Sequence, residues 1–206
     1  MPSPRRGLTQ PERVEISSRK LARAAAELII EKGWEATTAA EIGRRAGYSR
    51  AMVHARYGSK DAVLDAIFLR EYMAQLSPDL DPAASGLQLA LGHLDRIGQL
   101  AADDPELLRA MFVAAFEAVK STSPLRPHSL GQLEVGMQKV KAGLEKGIAD
   151  GSVRKDVEVD RAVNDISSAV YGIAYLWLVL NEGYNLENEL KSLRARLIRD
   201  YGPSPG

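Results

Sequence analysis

Residues 33–64, GWEATTAAEIGRRAGYSRAMVHARYGSKDAVL, decide the fold of the N-terminal part of this chain. The run Thr38–Glu41 has the spacing of a capping box, in which the threonine and the glutamate each satisfy a backbone amide of the other. Ser49 is a second residue of a type that caps helix N-termini. These signals predict two short helices, residues 39–46 and 50–57, joined by a tight turn.

Two short helices that cross beside a tight turn need a small residue at the crossing, glycine in the turn and apolar anchors on the inner faces. Gly43 supplies the small residue, Gly47 the turn and Val53 the anchor, with Ile42 and Ala46 facing it. The second helix is too short to be stable alone. Its other positions carry the polar and small side chains that a recognition helix presents to the DNA major groove. The pattern predicts a helix-turn-helix.

Charge is unevenly distributed along the chain, although the net charge is zero. Residues 1–60 hold 12 lysines and arginines against 6 acidic residues, whereas the rest holds 15 against 21. A basic module suits a polyanion, and capped helix N-termini bind phosphate. The candidate DNA-binding residues are Thr38, Arg44, Arg45, Ser49, Arg50, Ala51, His54, Arg56, Tyr57 and Lys60.

Helical periodicity continues on both sides of the helix-turn-helix, and strand-like alternation is absent. A first helix is predicted from Val14 to Lys32 and ends at Gly33, which tolerates positive φ. Ser59 begins a helix to about Leu76. Beyond the Pro/Asp-rich break SPDLDPAAS, five further helices are predicted at residues 86–102, 105–120, 127–150, 160–183 and 186–199.

The predicted fold class is all-α, with about nine helices. An N-terminal three-helix DNA-binding domain containing the helix-turn-helix precedes a C-terminal helical bundle that dimerises. The predicted segments are a flexible basic arm (residues 1–12), the helix-turn-helix domain (13–58), a linking helix (59–76), an effector-binding and dimerisation domain (77–200) and a tail (201–206).

Several classes of site have no support in the sequence. There is no cysteine, which excludes disulfides and thiolate zinc sites, and no catalytic motif is present. The three histidines fall on different predicted helices without ligand-like spacing, so no metal is expected. No cofactor is expected either. The longest apolar-rich stretch, residues 169–180, is shorter than the 20 or so residues of a membrane span. With no signal peptide visible, we expect a cytoplasmic, nucleoid-associated protein.

The last two predicted helices have the character of a dimer surface. From residue 162 to 180 the chain is apolar on nearly all sides, and a helix of this kind must be covered on every side. In a chain this small a second copy is the expected cover. The predicted dimer-interface residues are Ala162, Ile166, Val170, Ile173, Leu190, Leu193 and Leu197.

The span from about Leu21 to Phe68 resembles the TetR family of bacterial regulators. The matching residues are Thr37, Thr38, Ile42, Ala46, Gly47, Ser49, Ser59, Lys60 and Leu64. His54 stands where the family has a tyrosine that contacts phosphate, Ala51 stands where glycine is common, and Arg56-Tyr57 replaces an aromatic pair. The resemblance therefore implies a phosphate-contacting role for His54 but does not predict the operator sequence.

The resemblance also implies a cavity for a mostly apolar effector among the middle helices. Its predicted wall consists of Leu91, Leu94, Met111, Phe112, Phe116, Met137, Tyr171 and Tyr175, with His93 and the tyrosine hydroxyls as polar contacts. The acidic balance disfavours a strongly anionic effector, although Arg96 and Arg109 could hold a carboxylate. A lipid fragment, a sterol or an aromatic compound would fit.

Together these features predict a homodimeric transcriptional repressor that binds a palindromic double-stranded operator and is released by a small effector. The alternatives are a DNA-binding regulator without a small-molecule effector, which includes activators, and a helical enzyme or adaptor. Sequence-selective, salt-dependent duplex binding separates the first two from the third. A cavity separates the first from the second.

Overall fold

The computed structural model describes residues 9–59, 62, 81, 83–120, 122–123 and 125–203. Its described residues form eight α-helices and one 3₁₀ turn without strands, so the all-α prediction is confirmed. The chain divides into two compact units, Met1–Tyr72 and Met73–Gly206. Lys60, the start of the predicted arm (residues 1–8), residues 204–206 of the tail and almost all of the predicted linking helix lie outside the described residues.

The first unit contains α1 (Gln10–Ala36), α2 (Ala39–Arg45) and α3 (Arg50–Tyr57). Helix α1 begins earlier than predicted because Thr9 and Glu12 form a capping box, with a proline in the first turn. The predicted arm therefore extends too far, since residues 10–12 are helical. The missed signal was Thr9-x-x-Glu12, the same spacing that correctly identified the start of α2.

A glycine with an unusual backbone conformation interrupts or follows each of these helices. Gly33 interrupts α1 at φ 80° and ψ 167°, Gly47 forms the turn at φ 80°, and Gly58 follows α3 at φ 77°. These positive φ values favour glycine because a Cβ atom would be strained there. The predicted stop at Gly33 and turn at Gly47 are confirmed.

The contact between α2 and α3 forms around Val53, whose side chain is 1% exposed, with Ile42 completely buried. A Cβ atom on Gly43 would lie 2.7 Å from Cγ2 of Val53. A glycine at this crossing therefore lets the two helices approach, as predicted. The Thr38 and Ser49 side chains accept hydrogen bonds from the amides of Glu41 and Met52 and so begin the two helices.

The second unit contains α4 (Gly86–Asp103), α5 (Pro105–Glu117), α6 (Arg126–Asp150), α7 (Val159–Leu180) and α8 (Leu186–Tyr201). The predicted helices agree with these bounds to within three residues at each end. Asp104 caps α5, with its side chain accepting from the amide of Leu107. Helix α7 ends before Gly183 because Asn181 takes a positive φ of 48° and starts the 3₁₀ turn.

Glycines bring α4 and α6 together. A Cβ atom on Gly86 would lie 1.9 Å from the backbone nitrogen of Gly147, and one on Gly143 would lie 2.5 Å from the nitrogen of Ala90. Helix α8 packs on α4 and α7, and its Arg194 donates to Asp95 of α4 at 2.8 Å. The core of this unit therefore lies between α4 and its neighbours.

Helix α7 has 22 residues and contains an 18-residue window with a mean hydropathy of 1.3, so by length and composition alone it could cross a membrane. The helix therefore extends well beyond the 12-residue apolar stretch on which the sequence-based expectation rested. Helix α7 packs against α5, α6 and α8. Its residues buried in this unit are Ala162, Val163, Ile166, Ala174 and Trp177. This packing is that of a bundle helix.

Candidate nucleic-acid interface and ligand cavity

The N-terminal half of α3 presents an exposed surface. Arg50, Ala51 and His54 are all exposed, whereas Val53 on the same helix is buried. Residues 50, 51 and 54 are one and four positions apart, which places them on one side of a helix. The chain thus offers a guanidinium, a methyl group and an imidazole together at the start of a short helix.

The N-termini of α2 and α3 each carry backbone amides and a capping side chain. At the start of α2, the Glu41 carboxylate accepts from Nζ of Lys32 at 2.7 Å and from the Thr38 hydroxyl at 2.8 Å. These hydrogen bonds, first from Lys32 and then from Thr38, lower the pKa of Glu41 from 4.5 to about 2. The capping group therefore stays ionised throughout the neutral range, which favours an ordered helix start.

Arg45, predicted to bind DNA, has its guanidinium engaged with α1. Its Nη2 donates to Glu31 Oε2 at 2.9 Å, and Nη1 contacts the other oxygen of the same carboxylate. This bidentate pairing holds the pKa of Glu31 below its usual range. Arg44, in contrast, is exposed, and within the described residues no hydrogen bond or ion pair engages it. The two neighbouring arginines therefore differ in their availability for a phosphate.

Arg56, also predicted to bind DNA, joins α3 to α1. Its guanidinium donates to the hydroxyls of Ser17 and Ser18 and to the carbonyl oxygen of Val14, the last two at 2.9 and 3.2 Å. The same group lies 5.1 Å from the ring centroid of Tyr57. Each of these hydrogen bonds joins residues that are 38 to 42 positions apart in sequence, so together they fix the position of the recognition helix on α1.

A groove of about 740 Å³ runs between the N-terminal half of α1 and α3. Ten of the residues that the structure describes line it, and among these Arg13, Lys20 and Arg56 carry positive charge and none carries negative charge. Sequence reasoning missed Arg13 and Lys20. Their spacing of seven residues, two helical turns, places both on one face of α1, and this was the signal available.

The second unit contains a cavity of about 120 Å³ between α4, α5, α6 and α7. The lining residues are His93, Ile97, Phe112, Gln132, Leu133, Gly136, Met137, Val140, Ile166, Ser167, Val170 and Tyr171. Three of the eight predicted wall residues, Phe112, Met137 and Tyr171, are among them, together with the predicted polar contact His93. Sequence reasoning missed the face of α6 around Gly136, where Leu133 and Val140 lie three and four residues away.

The other predicted wall residues lie elsewhere. Leu91 and Met111 are buried in the helix packing away from the cavity, and Leu94 lines a separate groove beside α8. Phe116 touches Tyr171 edge to face, with ring centroids 6.1 Å apart, but does not line the cavity. Tyr175 is 54% exposed, because it lies on the outer face of α7.

The structure places most of the predicted dimer-interface residues in the interior of one chain. Ala162, Ile166, Leu190, Leu193 and Leu197 are each at most 5% exposed, so little of their surface is left for a partner. Val170 and Ile166 line the cavity instead, and Ile173 is half-buried. The buried leucines of α8 face the chain's own core, because α8 packs on α4 and α7.

A different set of apolar residues is exposed on the last two helices. Tyr175, Leu176, Val179 and Leu180 on α7 are 42 to 59% exposed, and Ile198 on α8 is 38% exposed. The α7 members are spaced by three and four residues, so they form one stripe. We call these five residues the outer strip.

Within the described residues, no group of three or more histidines or acidic residues could hold a metal ion. The geometry thus defines a helix-turn-helix domain of the DNA-binding class, followed by a helical bundle with an internal cavity. Residues 21–67 match the family of bacterial regulatory proteins named tetR. The chain is a TetR-like transcriptional regulator.

Relatives share this organisation along most of their length. YdeS of Bacillus subtilis strain 168, an uncharacterised HTH-type transcriptional regulator, is 25% identical over 176 residues, which cover 84% of each chain. The structure resembles the regulator FadR of Bacillus subtilis in complex with stearoyl-CoA, with a TM-score of 0.71 and 20% identity over 88% of this chain and 97% of FadR.

A third similar structure is the complex of SmeT with triclosan, with a TM-score of 0.74 and 18% identity over 91% of this chain and 92% of SmeT. SmeT is the repressor of the multidrug efflux pump SmeDEF of Stenotrophomonas maltophilia. At these identities the two structural likenesses show that the fold is shared.

Proposed function

We propose that two copies of this chain bind a palindromic operator in the cytoplasm, on the nucleoid, and repress transcription until a small effector enters the cavity. The observation that carries the DNA-binding part is the exposed start of α3, where Arg50, Ala51 and His54 lie on one side of the helix. Arg50 reads a base edge, since arginine pairs with the O6 and N7 of guanine in the major groove.

The surrounding groups hold the DNA backbone in this proposal. Arg44 and His54 contact phosphates, as do the amides at the N-termini of α2 and α3. Arg13 and Lys20 in the groove add positive charge beside α3. Arg45 and Arg56 act indirectly, because their guanidinium groups are engaged with α1 and orient α2 and α3.

The outer strip supports a homodimer. Large apolar side chains exposed on α7 and α8 cost free energy in water, and burying them against a second copy recovers it. Val179 is the most exposed of them, at 59%. Substitution with glutamate places a charge in the interface and should yield monomers.

Sedimentation of the wild type and of Val179→Glu tests the dimer. A matched control is Val119→Glu, which introduces the same charge at a valine that is 72% exposed outside the outer strip. The wild type and the control should sediment as dimers. A monomeric wild type at micromolar concentration would contradict the proposal.

DNA binding is tested by selecting a duplex sequence from a random library and titrating it at several salt concentrations. Affinity should fall steeply with salt because bound phosphates release counterions. Arg50→Ala should weaken binding and relax base preference, whereas Arg199→Ala, an exposed arginine of α8, should change neither. Failure to select any sequence would contradict the proposed regulator and favour the helical adaptor.

Release by an effector follows if the ligand prefers a conformer whose two recognition helices no longer match the half-sites. This mechanism needs only a difference in ligand affinity between two conformers. The cavity of the second unit supports the proposal. A regulator without an effector would show the same DNA affinity whatever molecule occupies this cavity.

A further inference from the structure

The described walls of the cavity carry no full charge. The twelve lining residues in the part of the chain that the structure describes include no lysine, arginine, aspartate or glutamate. The two arginines considered as carboxylate clamps point elsewhere: Arg109 donates to Asn181 at 2.9 Å and lies over Trp177, and Arg96 donates to Gln99 at 3.2 Å. An ionic ligand would lose its hydration without gaining a counter-charge, which is costly. The walls therefore select an uncharged ligand.

The volume of the cavity suits a small ligand. At about 120 Å³, it is slightly smaller than an apolar cavity of about 150 Å³ that admits benzene. One six-membered ring occupies such a space, and because the cavity is partly open a small substituent can extend from it. A sterol or a long acyl chain, both compatible with the sequence, is far larger.

The shape and polarity of the walls favour a ring with one polar group. Phe112 and Tyr171 stand edge to face, with ring centroids 6.4 Å apart and planes at 79°, and edge-to-face contacts of this kind also suit a third ring. His93, Gln132 and Ser167 add hydrogen-bonding groups to an otherwise apolar lining. Burial raises the pKa of Tyr171, which keeps its hydroxyl protonated and able to donate.

We propose that this cavity binds a small uncharged ring compound with one hydroxyl or carbonyl group, of the size of phenol. The assignment rests on the proposed function, in which the cavity is the effector site, and it names the chemical class of that effector. Apolar contact from Phe112 and Met137 holds the ring, and the polar side chains hold the substituent.

Gly136 provides a test because its missing side chain leaves room in the cavity. A Cβ atom built there lies 3.9 Å from Nε2 of His93, an ordinary contact distance, so Gly136→Ala introduces a methyl group without a clash. Gly131→Ala is the matched control: it lies on the same helix, and a Cβ atom there meets nothing within 4 Å. Both substitutions favour the helix equally.

Isothermal titration of the full chain at pH 7 with phenol, benzene, benzoate and testosterone measures the selectivity. Phenol should bind to the wild type. The affinity for phenol should be unchanged in Gly131→Ala and about tenfold lower in Gly136→Ala, since the added methyl group occupies space that the ligand needs. Tyr171→Phe, which removes one hydroxyl, should lower the affinity for phenol by about fivefold and leave the affinity for benzene unchanged. Benzoate and testosterone should bind at least about tenfold more weakly than phenol.

Equal binding of benzoate or testosterone, no binding of phenol, or an unchanged affinity in Gly136→Ala would each overturn the assignment. Operator titrations separate this failure from that of the proposed function. A chain that binds its operator but not phenol refutes the ligand class and leaves the regulator standing. A chain that binds phenol with this selectivity but no DNA supports the cavity chemistry and refutes the regulator.

Discussion

Arg56 ties the recognition helix α3 to α1, and its replacement by alanine should destabilise the first unit without removing a DNA contact. The substitution deletes three hydrogen bonds from the guanidinium to Val14, Ser17 and Ser18. A hydrogen bond from a charged donor contributes about 1.5–3 kcal/mol when shielded, and less when water reaches it. Arg56 is half-buried and Ser17 keeps a second hydrogen bond to Val14, so we expect a total loss of about 2 kcal/mol.

The two tryptophans make this loss measurable in the intact chain. Trp34 is completely buried in the first unit, and Trp177 lies in the second. In a Trp177→Phe background, fluorescence reports the urea unfolding of the first unit alone. Arg56→Ala should lower the unfolding free energy, and Arg56→Lys should restore little of it, because an ammonium group cannot make the forked contact. Arg50→Ala, which removes an exposed arginine of α3, should leave stability unchanged.

Salt titration of DNA binding distinguishes an arginine that contacts phosphate from one that only positions α3, because only loss of the former changes the salt dependence of the affinity. Loss of one phosphate contact reduces the slope of log affinity against log salt by about 1. Arg56→Ala should weaken binding with an unaltered slope, since α3 is less well positioned. Unchanged stability combined with a slope reduced by about 1 would refute the positioning role and restore the prediction of direct contact.

Three further predictions follow from named contacts. Glu41, whose pKa is lowered to about 2 by Lys32 and Thr38, stabilises the folded state at and above pH 4.5, and this contribution should disappear as the pH falls from 4.5 towards 2. Acid titration followed by Trp34 fluorescence should show a smaller pH dependence over this window in Glu41→Gln, and identical curves would contradict the assignment. Gly143→Ala forces α4 and α6 apart and should destabilise the second unit by about 2 kcal/mol. Gly131→Ala should instead stabilise this unit slightly. Thermal unfolding of both variants tests this difference. Arg44→Ala should reduce the salt slope of operator binding by about 1 with unchanged urea stability, and a stability loss instead would make Arg44 structural.

Helix starts and turns were readable from the sequence because the interactions that create them are local. The capping box Thr38–Glu41 and the cap Ser49 act within three residues, and the glycine turn depends on the conformational range of one residue. The same rule applied to Thr9 and Glu12 gives the start of α1. Local spacing therefore accounts for the helix-turn-helix and for nearly all the helix bounds of the second unit.

Residue roles within these helices were harder to predict where contacts join distant parts of the chain. Arg44 and Arg45 are adjacent, but Arg45 faces α1 and reaches Glu31. Arg56 carries the same charge as Arg50, yet its guanidinium bonds to a segment about 40 residues away. Charge and position in the motif are alike in these pairs, so only the packing of α2 and α3 on α1 distinguishes them.

The sequence alone determined the helical class, the helix-turn-helix with its exposed basic surface, and an apolar final pair of helices. Which apolar face points inward was decided by the tertiary structure. Helix α7 is apolar on nearly all sides, so periodicity does not distinguish the face with Ile166 and Val170, which lines the cavity, from the face with Tyr175 and Val179, which is exposed. That choice depends on how α5, α6 and α8 pack around α7, because burial is a property of neighbouring helices and not of one helix's own pattern.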